Sequence, residues 1–214
     1  MRAAEVPTIA DRPTNYARNV FHMVCTVFAL WLILKLDDEQ DVFYLVVAVL
    51  ALAWGLEWAR LRYGRFNRLF MVFAGPFARP HEHTSVSSAT WYITAMFGLA
   101  CLWDLQVASV AVVVLGFGDP AAAVIGRRLG RVKLVHGRTV AGSLGFLGVA
   151  GGAAYGWLRV FYGQDPYSAC LWAVAAAFCG MIAELFSDRV DDNFSIPLAA
   201  AAGAWLVSSG FLGG

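Results

Sequence analysis

The sequence predicts an all-α, polytopic membrane helix bundle of about seven transmembrane helices plus one interfacial amphipathic helix. Three observations predict it. The 214 residues are 59% hydrophobic and only 14% charged, with a mean hydropathy of +0.62, whereas soluble domains average about 25% charged residues. Apolar runs approaching the roughly 20 residues that cross a bilayer recur along the chain. The basic residues fall into alternate loops, as the positive-inside rule requires. A net charge of +1 excludes an overall field directed at nucleic acid.

Seven runs are candidate spans: Val20–Leu36, Val42–Trp58, Ala89–Trp103, Leu105–Ile125, Val140–Phe161, Tyr167–Phe186 and Ile196–Phe211. The third is short and could begin near Ser85. The Ala- and Gly-rich fifth suggests close helix packing. With the N-terminus in the cytosol, 14 of the 16 basic residues fall on the cytosolic side and only Lys35 and Arg159 outside. Asp37, Asp38, Glu39, Asp41 and Asp165 lie outside, and the C-terminus ends there. Residues 1–19 read as a cytosolic N-terminal segment without a signal-peptide apolar region, and 20–214 as a single integral membrane catalytic domain. Cys25, Cys101, Cys170 and Cys179 have no CxxC spacing and read as small packing residues.

Between the second and third spans, Phe66, Leu69 or Phe70, Phe73 and Phe77 repeat at helical spacing with Arg62, Arg65 and Arg68 between them. This is either a basic amphipathic helix in the interface, ended by Gly75-Pro76, or an ordinary positive-inside loop.

Asp119 is the sharpest signal. An acid within a span costs about 2.5–3.5 kcal/mol on insertion scales, so it has a partner or a task. Gly116, Gly118 and Pro120 predict a broken helix there, with free backbone groups facing a cavity. The alternative is an acid paired with arginine only to hold helices together. Arg127, Arg128, Arg131, Lys133 and Arg138 follow; they suit phosphate or simply fix topology. Gly137-Arg138-Thr139-Val140-Ala141-Gly142-Ser143 resembles half of a phosphate loop without its lysine. The amides near Gly142 and the hydroxyls of Thr139 and Ser143 either hold phosphate at a helix N-terminus or cap the helix.

Glu184, Asp188 and Asp191 stand at i, i+4, i+7 and share one face if the sixth helix continues; Asp192 and Asn193 follow. Oxygen-only clusters suit Mg²⁺; the other reading is a solvated acidic loop. Glu57, Arg79, Glu82 and His22 are further candidates in supporting roles, His22 being a packing residue on the simpler reading. His81 and His83 are weak evidence for zinc. All these groups fall on the cytosolic side.

These residues resemble the CTP-dependent lipid-alcohol kinases, a family that includes dolichol kinase, phytol and farnesol kinase, and yeast-type diacylglycerol kinase. The resemblance runs from about Arg18 to Pro197. Its clearest part is Gly118-Asp119-Pro120-Ala121-Ala122-Ala123 with Gly126-Arg127-Arg128-Leu129-Gly130, then Thr139-Val140-Ala141-Gly142-Ser143. Arg18-Asn-Val-Phe-His22, Arg79-Pro-His-Glu82 and Asp191-Asp192-Asn193 with Pro197 add to it. Arg138 stands where the family usually has lysine, so charge is kept and geometry changes.

The resemblance implies a phosphotransferase that moves the CTP γ-phosphate to a lipid alcohol in the bilayer, giving a lipid monophosphate and CDP. The acceptor would be phytol, geranylgeraniol, a polyprenol or diacylglycerol, with the small size leaning toward a short isoprenoid. Asp119, Asp191 and Asp192 would be catalytic. Mg²⁺ would be held by Asp119, Glu184, Asp191, Asp192 and Asn193. Gly118, Gly126, Arg127, Arg128, Gly130, Lys133, Arg138, Thr139, Gly142 and Ser143 would take the nucleotide phosphates. Two other readings compete. Ser187-Asp188-Arg189-Val190-Asp191 is faintly similar to the phosphatidate cytidylyltransferase signature, and a small transporter could use an intramembrane acid.

Overall fold

The computed structural model describes residues 16–36, 38–188 and 190–210. Residues 1–15, with Arg2 and Arg12, together with Asp37, Arg189 and Phe211 at the end of the seventh expected span, lie outside the described residues.

Among the described residues the chain forms eight α-helices: α1 (Tyr16–Leu36), α2 (Glu39–Arg62), α3 (Gly64–Ala74), α4 (Ser88–Leu102), α5 (Leu105–Leu129), α6 (Val140–Phe161), α7 (Pro166–Phe186) and α8 (Asp192–Ser208). Five of them, α1, α2, α5, α6 and α7, are long and apolar enough to cross a membrane. The 15-residue α4 and 17-residue α8 are shorter. Six of the eight starts are set by a polar side chain accepting from the first-turn amides: Asp38, Ser87, Asp104, Thr139, Asp165 and Asp191 cap α2, α4, α5, α6, α7 and α8. Such caps are worth about 1 kcal/mol each. Ser87 fixes the start of α4, so the third span does not begin near Ser85.

α5 is the axis of the bundle. It packs on α1, α6, α7 and α8, and an unbroken stretch from Val107 to Gly116 is buried. The expected break at Asp119-Pro120 does not occur: the helix runs through it. Proline removes one amide donor and leaves the carbonyl four residues back without its helical partner, a loss tolerated where neighbouring helices enclose the segment.

Close approach explains the glycines. A methyl at Gly116 would fall 2.2 Å from Thr26 of α1, and one at Gly118 would fall 2.7 Å from the Phe146 ring of α6. At Gly142 it would meet Ala122 O at 3.1 Å and Gly126 Cα at 3.3 Å, so α5 and α6 touch backbone to backbone. On α1, α2, α6 and α7 large apolar side chains point outward, among them Val24, Phe28, Trp31, Leu52, Trp58, Leu144, Val160 and Phe178, as suits a lipid-facing surface. Cys101 and Cys170 also lie on that exposed surface rather than in the packing; an apolar solvent accepts a thiol there without penalty.

Candidate active site

The helices α1, α4, α5, α6, α7 and α8 bring their polar residues to one end of the bundle. Glu184 sits in the last turn of α7, buried to 2% exposure, and Arg138, just ahead of α6, meets it at 2.8 Å. The Arg138 Nη2 also stands 4.0 Å from Asp192. From the other side Arg79 reaches Asp192 at 2.6 Å and Asp191 at 3.5 Å. Two arginines therefore clamp three carboxylates contributed by the end of α7 and the start of α8.

Asp119 is half-buried on α5, and its charge adds to those of Asp192 and Asp191 in favouring the charged form of Arg79. His22 stands edge-on to the Tyr92 ring at 5.9 Å. Arg18, one turn earlier on α1, meets Glu82 at 3.9 Å. Ser88 Oγ lies 2.9 Å from both Glu82 Oε1 and Asp191 Oδ2; its single proton serves one carboxylate at a time. Burial and then the Asp192 charge push the Asp191 carboxyl above the ordinary aspartate range. Burial alone would lower the Arg79 guanidinium; Asp192 and Asp191 outweigh it and hold the group above its usual value.

Several buried polar atoms at this end have no hydrogen-bond partner: Glu184 Oε2, Asn193 Oδ1, Ser143 Oγ, His22 Nε2, Arg127 Nε and Asn19 Nδ2. A buried unpaired polar atom costs roughly 1–3 kcal/mol, so a concentration of them at the end where the charges meet points to a ligand. Asn193 is only 3% exposed. Among the described residues, no three His, Cys, Asp or Glu side chains form a ready-made metal cage. The arginines occupy the carboxylates instead.

The structure sorts the expected residues differently from their order in the sequence. The acids do not share a helical face. Helix α7 ends at Phe186, so Asp188 turns outward to pair with His136 at 3.5 Å, while Asp191 caps α8 through the Asn193 amide at 3.0 Å. Glu57 stands apart. It pairs with the buried Arg60 and accepts from Ser87 N, Ser87 Oγ and Thr90 Oγ1 at 3.0–3.1 Å, so both its oxygens are used for structure.

Of the arginines and lysine of the basic loop, only Arg138 touches an acid of the cluster. Arg127 is half-buried, whereas Arg128, Arg131 and Lys133 are exposed. That loop folds back on itself by a Lys133–Thr139 bridge, with His136 and Gly137 in the left-handed region at φ 54° and 76°. The phosphate-loop likeness ends at the cap: Thr139 Oγ1 takes the Gly142 amide at 3.1 Å, and Thr139 O takes the Ser143 amide at 3.0 Å. Gly118, Gly126, Gly130 and Gly142 spend their open faces on Phe146, Thr139 and one another. Sequence reading missed Ser88, which has no flanking motif, and did not place Arg18 in the site although it quoted the Arg18–His22 stretch.

No protein-family profile matches the chain, and no solved structure is significantly similar to it. Three curated proteins are. The chain is 24% identical over 207 residues to the CTP-dependent diacylglycerol kinase 1 of Saccharomyces cerevisiae, covering 86% of this chain and 70% of that protein. It is 26% identical over 203 residues to the protein of the same name from Eremothecium gossypii, covering 86% and 64%. It is 26% identical over 161 residues to that of Schizosaccharomyces pombe, covering 69% and 72%. The chain thus spans about two thirds of each relative's length. Similarity over so much of the chain coincides with the motif resemblance and with a cluster built from those motifs, and the chain is similar to curated CTP-dependent lipid kinases.

Proposed function

We propose that the chain transfers the γ-phosphate of CTP to the hydroxyl of a lipid alcohol lying in the bilayer. The observation that carries this reading is the convergence of Asp119, Glu184, Asp191 and Asp192 with Arg79 and Arg138 at one end of a membrane bundle, beside buried oxygens that lack partners. Phosphoryl transfer needs positioning and charge neutralisation more than covalent help. The names of the relatives favour diacylglycerol as acceptor over the short isoprenoid that chain size suggested.

In this reading the acceptor oxygen attacks the γ-phosphorus, the bond to the β-phosphate oxygen breaks, and CDP leaves. Asp119, half-buried on α5, accepts the hydroxyl proton. Arg79 and Arg138 move from carboxylate to phosphate, to which their guanidinium forks are equally matched. Arg127, Arg128 and Lys133 supply positive charge on the approach. The donor set suits Mg²⁺, a hard cation held by one or two carboxylates, waters and substrate phosphates; Glu184, Asp191, Asp192 and Asn193 would hold it, with Asp119 adjoining. Bound with the nucleotide, Mg²⁺ would neutralise charge on the phosphates. The site end is cytosolic, where CTP is, and the α6–α7 turn faces the opposite side.

Purified protein given CTP labelled in the γ-phosphate or in the base tests this against diacylglycerol, geranylgeraniol, phytol, a polyprenol and phosphatidate. Label from the γ-phosphate on one alcohol is expected. A base-labelled lipid from phosphatidate would replace the kinase with a cytidylyltransferase.

A further inference from the structure

We propose that the exposed face of α3 binds the phosphate headgroups of membrane lipids and so holds the Arg79–Ser88 segment in place at the site. No acidic residue lies between Glu57 and Glu82, while five arginines do: Arg60, Arg62, Arg65, Arg68 and Arg79. The protein neutralises two of them itself. Arg60 is buried against Glu57, and Arg79 pairs with Asp191 and Asp192. Arg62, Arg65 and Arg68 are exposed. Among the described residues, then, these three arginines have no carboxylate counter-anion.

The apolar residues beside them point to lipid phosphate as the counter-anion. Leu69, Val72 and Phe73 are 58%, 70% and 74% exposed, and with Arg65 and Arg68 they make one continuous face of α3. A face with arginines at one end and large apolar side chains at the other matches a lipid leaflet, phosphates above and acyl chains below. A free polyphosphate would leave the apolar half exposed to water. Each basic residue near an anionic leaflet adds about fivefold in affinity.

The opposite face of α3 is wired to the site. Asn67 donates to His83 O at 2.8 Å and accepts from Arg60 at 3.3 Å. Arg60, lying over the Phe70 ring at 5.7 Å, donates to Glu82 O at 2.9 Å and Ser85 O at 2.6 Å. The segment so held carries Arg79 at one end and Ser88 at the other, both in contact with Asp191. Beyond that segment α3 packs mainly on α2, to which it is joined through Tyr63. Lipid at its outer face therefore fixes the helix whose inner face positions Arg79. The effect on turnover rests on the kinase reading; the binding surface does not.

The test uses the full chain in vesicles of phosphatidylcholine, with and without phosphatidylglycerol. Hydrogen exchange of residues 79–88 and the initial rate of lipid phosphorylation are measured in parallel. Phosphatidylglycerol is expected to slow exchange in 79–88 severalfold and to raise the rate. The Arg62→Gln/Arg65→Gln/Arg68→Gln variant is expected to keep its activity in phosphatidylcholine and lose both responses. Asn67→Ala is expected to keep lipid protection of α3 amides while residues 79–88 stop responding. Equal exchange of 79–88 in the two vesicles, or a triple variant responding like the parent, would overturn the proposal. So would inorganic phosphate producing the same protection in phosphatidylcholine vesicles, which would assign the face to free anions. A lipid-dependent exchange change without any phosphorylated product would uphold the surface and remove the kinase reading alone.

Discussion

Replacing Arg79 by glutamine separates the arginine clamp from the cation site proposed beneath it. Arg79 is 30% exposed, while its partners Asp191 and Asp192 are 8% and 6% exposed. Removing one partner of a buried pair costs about 3–5 kcal/mol, because the other charge stays buried and uncompensated. Partial exposure of Arg79, and the Arg138 guanidinium still 4.0 Å from Asp192, reduce that to about 2–3 kcal/mol. At roughly 2–4 °C per kcal/mol for a chain of this size, Tm should fall by about 4–12 °C. The vacated carboxylates are then open to a cation. With Mg²⁺ at about 100 times its Kd, binding restores about 2.7 kcal/mol, most of the loss. The assay is thermal unfolding in detergent, with chelator or Mg²⁺, for the parent and Arg79→Gln. The variant should gain far more from Mg²⁺ than the parent, in which the guanidinium competes for the same oxygens. A variant that Mg²⁺ does not rescue, or a parent that gains as much, would refute the assignment of Asp191 and Asp192 to a cation.

Asp119→Asn should insert and fold normally and lose essentially all phosphoryl transfer, read with labelled CTP; near-normal turnover would remove Asp119 from the reaction. Gly118→Ala should cost about 1–3 kcal/mol by overpacking against Phe146, and Phe146→Leu in the same chain should recover much of it; thermal unfolding of the single and double variants checks both. Glu57→Gln should strand the buried Arg60 and cost about 3–5 kcal/mol, while protein that folds at low temperature keeps its KM for CTP. Asp165→Ala removes the cap that takes the Tyr167 and Ser168 amides at 3.0 and 3.1 Å. It should lower stability by about 1 kcal/mol and leave kcat unchanged, because it sits at the far end of the bundle.

The fold was largely legible because its determinants are local. Apolar run length gives the helices: α4, α5, α6 and α7 start within a residue of the expected runs, whereas α1, α2 and α8 start three or four residues earlier, where polar residues extend the helix beyond the apolar run. The acids of the site were legible for a related reason: a carboxylate inside apolar sequence needs a cause. Its arrangement was not legible. Whether Asp188 or Asp191 joins Glu184 depends on the chain leaving the helix at Ser187, and helical spacing projects straight through that point. Arg60 looked like any topogenic arginine, because burial is decided by Glu57 and by carbonyls more than twenty residues away. Proline and glycine around Asp119 signalled a break, yet the same residues serve close packing when neighbouring helices are present, and the sequence alone does not contain the neighbours.

The glycines connect these two levels. Gly118 precedes Asp119, and the Phe146 ring fills the space where its side chain would be. Phe146 is fully buried and also lies against Gly180 of α7, a turn before Glu184. One ring thus spaces the helix bearing Asp119 from the helix bearing Glu184, while Gly126 against Gly142 sets the approach of the α6 start that Arg138 precedes. The carboxylates and their arginine come from different helices, and charge attraction alone cannot place them, since Asp119 and Glu184 repel. Packing of small residues against one large ring supplies the force that holds like charges near each other, and a cation with a polyphosphate is the chemistry that such an arrangement stabilises. Glycine at 118, 126, 142 and 180 therefore sets the spacing of the helices that carry the proposed site.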